Sequence, residues 1–396
     1  MLMTKTRAPA KQKLPAPVVG RTRWTLNGDY LNLSPTGVAR YAREVVAAMD
    51  QLIGENDPLT RTFDIDVVSP VPFVYDHIPV RVVPEFKSPR LPQVWVQAQL
   101  PRHIPGGLVS FCNLGPVAIR RQIICIHDLH TYLMPESYST AFRWLHRLLL
   151  PQLGQRSAAV TTVSNFSRGH LEDYGIAPSG KITVTYNGSD HTRRWKASQG
   201  RLSLPTERPY VLCLGQPQRY KNLELILQLA PKLDALGIDV LMAGSIAKEE
   251  IVERGGGDLL SRNLRLLGRI DDDDFAQAFS NALCFVFPSR IEGFGLPAIE
   301  AMALGCPVVS STSPCLPEVC GDAASFADPD DPQAWADAIV WLRDHPEEAK
   351  TISIRGRARA NTYAWREIAK TYFKLMASLD QADGAHVETF RPEVAA

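Results

Sequence analysis

The sequence predicts an α/β protein made of two doubly wound domains that face each other across a cleft. Three observations carry this. Short apolar runs alternate with amphipathic helical patterns, which is the signature of parallel sheets covered on both faces. The alternation occurs twice, with a polar, proline-containing stretch between the two series. The chain has 396 residues, beyond the roughly 100–200 that one compact domain takes. Ligands of such sheets sit past the carboxyl ends of the strands, so the cleft between the domains is the expected site.

Taken in order, residues 1–20 (MLMTKTRAPAKQKLPAPVVG) are basic and Pro/Ala-rich and lack an apolar signal core. They read as a disordered leader. The first domain, 21–190, holds the helical pattern GVARYAREVVAAMDQLI and the strand-like runs FDIDVVSP, GLVSFCN, QIICIHDL, AAVTTVS and ITVTYNG. The segment STAFRWLHRLLLPQLGQRS reads as a core helix with a basic face; a surface helix that grips a membrane interface or a lipid-linked acceptor is the second reading. Residues 191–207 are polar with little periodicity and read as the interdomain linker. The second domain, 208–374, opens with the strand YVLCLGQ and the helix NLELILQLAPKLDAL. Strands IDVLMAGS, LRLLG, ALCFVFP and CPVVSS follow, then helices DPQAWADAIVWLRDH and EIAKTYFKLMASL. Residues 375–396 are the end of the last helix and a tail, crossing back to the first domain.

Composition narrows the function classes. A hydrophobic content of 45%, a charged content of 21% and a net charge of +1 describe a soluble globular protein with no global drive toward nucleic acid. The seven cysteines are scattered without a C-x-x-C pair. They read as reduced core thiols of a cytosolic protein, not as a disulfide frame or zinc site. No run approaches the ~18 apolar residues of a membrane helix. The N-x-S/T matches NFS, NGS and NLS carry no weight without a signal peptide.

The most informative stretch is FVFPSRIEGFGLPAIEAMALGCPVVSS, Phe285 to Ser311. A strand ends near Pro288, a loop follows, and a helix starts near Leu296. Pro297 fits the first helical turn and Gly305 the position just past the helix end. The free N–H groups of that first turn carry partial positive charge and suit a phosphate. Gly293 and Gly295 let backbone approach a ligand. Glu292 lies before the helix and Glu300 one turn inside it; carboxylates are good acceptors for vicinal hydroxyls. Either glutamate alone reads as solvated, but the whole string reads as a corner that holds something with hydroxyls and phosphates.

This stretch resembles the E-x7-E signature of family 4 retaining glycosyltransferases, whose fold pairs two Rossmann-like domains (GT-B). The resemblance extends from about Gly28 to Lys374. It implies that Glu292 contacts the donor hexose, that Glu300 binds the nucleotide ribose, and that amides of Gly293, Phe294, Gly295 and Leu296 hold sugar and phosphate. After the first strand of the second domain, LGQPQRYKNLELI places Gly215, Arg219 and Lys221 at a strand end, with Asn222 in position to cap a helix. Two cations there suit a diphosphate leaving group. The family carries an Arg/Lys pair at this point. Here Gln216 replaces a common Arg and Tyr220 splits Arg219 from Lys221. LSPTGVARY resembles the family's N-terminal glycine loop, with Gly37 before a helix. LLGRI resembles its base-binding segment, through backbone around Gly268 and Ile270. ICIHDLH places His127 and Asp128 after a strand; the resemblance gives His127 a contact to the donor sugar near the reacting carbon, with His130 secondary.

Two signals are set aside. The run Asp271–Asp274 imitates a metal site but starts a helix, where acids suit the dipole. Arg254–Leu260 is glycine-rich without dinucleotide-loop spacing. No metal ligand set is evident, and no cofactor is expected.

The resulting expectation is a retaining, metal-independent hexosyltransferase. Its catalytic candidates are His127, Glu292, Lys221 and Arg219. Its donor is a nucleotide-diphosphate sugar, with GDP-mannose first and a UDP-sugar next; its acceptor is a saccharide or lipid-linked saccharide. The style resembles mannosyltransferases of bacterial exopolysaccharide or O-antigen assembly, acting in the cytoplasm at the inner face of the membrane. Two other readings stay open: a sugar-nucleotide epimerase on the same fold, and a non-catalytic sugar-nucleotide-binding subunit of a polysaccharide assembly complex.

Overall fold

The computed structural model describes residues 20–34, 36–86, 92–205, 207–253 and 261–388. The leader assigned to 1–20, apart from Gly20, and the glycine-rich run 254–260 lie outside them, as does the tail from 389.

Two sheets form. The first has the strand order β3-β2-β1-β4-β5-β6-β7. Its strands are β1 (Thr22–Asn27), β2 (Phe63–Ser69), β3 (Val80–Val82), β4 (Gly107–Ser110), β5 (Gln122–Cys125), β6 (Ala159–Thr162) and β7 (Ile182–Val184). The second has the order β10-β9-β8-β11-β12-β13, from β8 (Tyr210–Gly215), β9 (Asp239–Gly244), β10 (Leu264–Gly268), β11 (Cys284–Phe287), β12 (Val308–Ser311) and β13 (Ser325–Ala327). The registers are parallel throughout the second sheet and at β1–β2, β1–β4, β2–β3, β4–β5 and β6–β7. In both sheets the order reverses beside the first strand, which makes the doubly wound topology.

Packing divides the chain into two units. One takes the described residues of Met1–Ile124, Arg156–Ala158 and Ala369–Ala396; the other takes Cys125–Gln155 and Ala159–Ile368.

In the first unit, β1 is a central strand with Trp24 and Leu26 fully buried. A side chain at Gly107 would meet the Trp24 ring 2.4 Å away, so only glycine lets β4 lie beside it. The helix Gly37–Gly54 buries Tyr41, Val45, Met49 and Leu52, one helical stripe of the 3.6-residue period. The last helix, Trp365–Glu388, supplies this unit's core with Tyr372 and Phe373. The Tyr372 hydroxyl lies 3.0 Å from that of Tyr41, and the Phe373 ring 5.6 Å from Phe63. Asp380 accepts the Trp24 indole N–H at 3.2 Å and pairs with Arg121 and Thr22.

In the second unit, Val211, Cys213, Ile226, Val240, Met242, Val286, Val309 and Trp335 are core residues. The segment read as a linker is held to the helix Asp272–Asn281. The amides of Lys196, Arg201 and Leu202 donate to Asp273, Asp274 and Gln277. Asp271 caps that helix and shares a capping box with Asp274, so the acidic run satisfies backbone donors. Six of the seven cysteines are buried and all are free.

The core reading of STAFRWLHRLLLPQLGQRS is corrected in part. The helix Thr140–Arg156 buries His146, Leu150, Leu153 and Gly154. Trp144 and Leu148 are 67% and 62% exposed, and Phe142 43%. Trp144 and Leu148 lie on the helix face opposite the buried stripe, and Phe142 one turn before it.

Candidate active site

The site is built at the carboxyl ends of β8 and β11, which are hydrogen-bonded neighbours. That adjacency explains how Lys221 and Glu292, 71 residues apart, become partners. After β11 the loop is tied on two sides. The Arg290 amide donates to the Tyr220 carbonyl at 2.7 Å. The Ser313 hydroxyl donates to the Arg290 carbonyl at 2.8 Å, and Ser311 to the carbonyl of Ser289. The helix Leu296–Ala303 then begins, with proline in its first turn. Gly295 precedes it at φ +89°, and a side chain there would lie 2.5 Å from Leu316. Conformation and space both require glycine at this corner. At Gly293 a side chain would lie 3.1 Å from the His127 carbonyl, so this loop and the His127–Asp128 turn approach closely.

Lys221 sits on the tight turn Arg219–Lys221. Its ammonium donates to Glu292 Oε1 at 2.7 Å, with the side chains 13% and 9% exposed. The ammonium is also 5.2 Å from the centre of the Tyr220 ring and 5.8 Å from that of Phe287, a favourable placement over aromatic faces. A largely buried ion pair contributes little net stability, yet loss of one partner strands the other at a cost of about 3–5 kcal/mol. The pairing therefore holds both side chains at the corner.

The second glutamate is held differently. Glu300 Oε1 lies 2.9 Å from His191 Nε2, and the Trp365 indole N–H donates to His191 Nδ1 at 3.0 Å. Indole nitrogen only donates, so Nδ1 accepts and the imidazole proton sits on Nε2, pointing at the carboxylate. His191 is fully buried. The Trp365 amide donates to Asp190 at 2.9 Å. A side chain at Gly188 would lie 2.6 Å from the Trp365 backbone and ring.

Beside the pair, Asp128 accepts the His130 amide at 3.0 Å. Burial would raise its carboxyl, but His130, the His130 amide, His127 and Lys221 hold it below the usual carboxylate value. The Tyr138 phenol hydrogen-bonds with Tyr220, and burial pushes both phenols well above their ordinary value. Both stay protonated donors at any physiological pH. Among the described residues, no group of three or more His, Cys, Asp or Glu is placed to hold a metal ion.

Comparison with known proteins decides the family. Residues 196–359 match the family described as Glycosyl transferases group 1, and residues 35–193 match Glycosyltransferase Family 4. The chain is 30% identical over 268 residues to the O-antigen chain mannosyltransferase B of Escherichia coli, covering 63% of this chain and 68% of that protein. The chain belongs to the family 4 glycosyltransferases. Identity to the O-antigen chain mannosyltransferase RfbU of Salmonella typhimurium is 25% over 337 residues, 81% of this chain and 91% of that one. The sucrose-phosphate synthase of Thermosynechococcus elongatus superposes with a TM-score of 0.72 at 19% identity, over 91% of this chain and all of that one. The glycosyltransferase thus has the GT-B fold expected of it.

Within this glycosyltransferase the candidate residues differ in placement and burial. Lys221, Glu292, Gly293, Gly295, Leu296, Glu300 and His127 lie in one packing unit. Glu292, Glu300 and His127 are all less than a tenth exposed. Phe294 shares that loop, but its ring packs against Tyr363 and Tyr186, so only its backbone is available to a ligand. Arg219 is exposed, and Lys221 is the less exposed cation of the turn. Gly215 is filled in by its own unit, since a side chain would lie 2.6 Å from Met242 and Ile246. Gly268, at φ +69°, has open space around it, and Ile270 is half-buried. Gly37 belongs to the other unit. There it opens a helix capped by Thr36, which accepts the Ala39 amide at 3.2 Å, and a side chain on it would meet nothing within 4 Å. Asn222 does not cap the following helix through its side chain; at φ 56° it turns the chain instead and donates to the carbonyls of Pro288 and Pro329.

Sequence reasoning missed His191 and Trp365. His191 fell in the segment read as linker, and Trp365 just before the late helix EIAKTYFKLMASL, which in the structure starts at Trp365 itself. The only signal that bears on them is Gly188, whose missing side chain makes room for the indole.

Proposed function

We propose that this glycosyltransferase moves a hexose, mannose by first assignment, from a nucleotide-diphosphate sugar to a saccharide or lipid-linked saccharide, with retention of configuration. GDP-mannose is the first donor and a UDP-sugar the second. The observation that carries the reading is the Glu292–Lys221 ion pair at 2.7 Å, set on a loop that leads into a helix N-terminus. A carboxylate, an ammonium and helix amides on one corner match a hexose hydroxyl pair joined to a diphosphate. The names of the two O-antigen chain mannosyltransferases support mannose and a saccharide acceptor.

On this reading Glu292 orients the hexose and Glu300 holds the ribose. Lys221 and Arg219, with amides of the Gly293–Leu296 turn, take up the charge that develops on the departing phosphate. That phosphate in turn deprotonates the incoming hydroxyl on the same face of the sugar, and His127 contacts the ring near the reacting carbon. Positioning and charge stabilisation supply the rate, and protein cations do the work that a metal does in other designs. The exposed Trp144 and Leu148, with Arg143 and Arg147 on the same helix, support contact with an anionic membrane surface.

The test is incubation with GDP-mannose and, separately, UDP-sugars, each with and without a panel of saccharide and lipid-linked acceptors, in EDTA. Acceptor-dependent nucleotide release in EDTA, with the donor's anomeric configuration kept in the product by NMR, is the expected result. An isomerised sugar without acceptor would show an epimerase. Donor binding without turnover on any acceptor would show a binding subunit.

A further inference from the structure

Glu300 is a nearly buried carboxylate in the helix Leu296–Ala303, and its direction is set by what it touches. The structure supplies a chain of three groups. The Trp365 indole donates to His191 Nδ1 at 3.0 Å, and His191 Nε2 faces Glu300 Oε1 at 2.9 Å. His191 is fully buried and Trp365 nearly so, and all three lie in one packing unit. The imidazole is held at both nitrogens and packed at its rim, with the Trp195 and Trp365 rings 5.4 and 5.9 Å away.

We propose that His191 and Trp365 are positioning residues for the donor nucleotide: the indole sets the imidazole tautomer, and the Nε2–H fixes the Glu300 carboxylate in the orientation that accepts two neighbouring ribose hydroxyls. This rests on the reading that Glu300 binds ribose. The physical reason for such a relay is geometric. A glutamate has three rotatable bonds, and two hydroxyls on one ring are recognised together only by a carboxylate held within a narrow angular range. A neutral N–H donor locks one oxygen without neutralising the carboxylate, so its acceptor strength is kept. An ammonium in the same place would compete with the ribose for that charge.

The prediction is a specificity effect, which a merely structural role does not produce. Binding is measured by calorimetry for GDP or UDP, whichever is tighter, and for its 2′-deoxy and 3′-deoxy forms. The wild-type chain should prefer the ribose form by about tenfold or more, as hydrogen bonds to a charged group allow. His191→Leu should bring that ratio close to one. His191→Gln, which can place an amide N–H near the same point, should restore much of it, and Trp365→Phe should give an intermediate ratio. Glu300→Gln is the control for the underlying reading. If Glu300→Gln collapses the ratio while His191→Leu and Trp365→Phe leave it at the wild-type value, the relay is overturned and the ribose role of Glu300 stands. If Glu300→Gln leaves the ratio unchanged, the ribose role itself is wrong. Each ratio is taken within one variant, so an overall loss of stability does not mimic the effect.

Discussion

Glu292 and Lys221 satisfy one another, and that pairing sets what their loss should do. Each is largely buried, so either truncation leaves an uncompensated charge at the corner. On the proposed chemistry, Glu292→Ala and Lys221→Ala each lower turnover by at least about 10²-fold, with circular dichroism showing the fold intact. Wild-type turnover in both would remove these residues from the reaction. The two glutamates and the lysine were legible because their signal is local: an E-x7-E string around a glycine turn, and a cation just past a strand. His191 was not legible, since its partners Glu300 and Trp365 lie 109 and 174 residues away. A lone histidine in a polar stretch has no sequence feature that reports such contacts. Arg219 shows the converse. The sequence pairs it with Lys221, while the tight turn leaves it exposed.

Among the elements, strands with continuous apolar runs were readable: β2, β4 to β7 and β8 to β12 all fall within the runs that predict them. β1 was not, although it is central. Its sequence TRWTLN alternates Trp24 and Leu26 with Arg23, Thr25 and Asn27, and the last two are buried polar residues, which masks the core role. β3 and β13 span three residues each, as β7 does, but neither falls within one of the runs that predict strands. The helix Pro346–Asn361 is mostly polar; it buries Gly356 and Ala360 and packs the partly buried Ala349 and Ile352 against the core, a stripe of mostly small residues that is faint in the sequence. The helix Thr140–Arg156 was half legible. Its apolar content was visible, but which residues face outward depends on where Leu150 and Leu153 pack. Since Trp144 and Leu148 are outward, Trp144→Ala/Leu148→Ala should reduce co-sedimentation with anionic vesicles severalfold, with soluble-acceptor turnover unchanged. Equal sedimentation of wild type and variant, or none by either, would refute the membrane role of this helix.

For the whole molecule, the doubled strand–helix series and the length predicted two doubly wound sheets, and the GT-B architecture follows. The packing units draw on contacts that no local window contains. Segments 125–155 and 159–190 pack with the second series, and the end of the chain supplies Tyr372 and Phe373 to the core of the first. The family establishes glycosyl transfer; sugar, nucleotide and acceptor depend on how the corner after β11 meets its ligand. The most direct measurement is a crystal structure of the chain soaked with GDP-mannose or a UDP-sugar. The account predicts the hexose against Glu292, the diphosphate at Lys221 and the Gly293–Leu296 amides, and the ribose on Glu300 with His191 still behind it. A nucleotide bound away from that corner, with the Glu292–Lys221 pair intact and untouched, would contradict it.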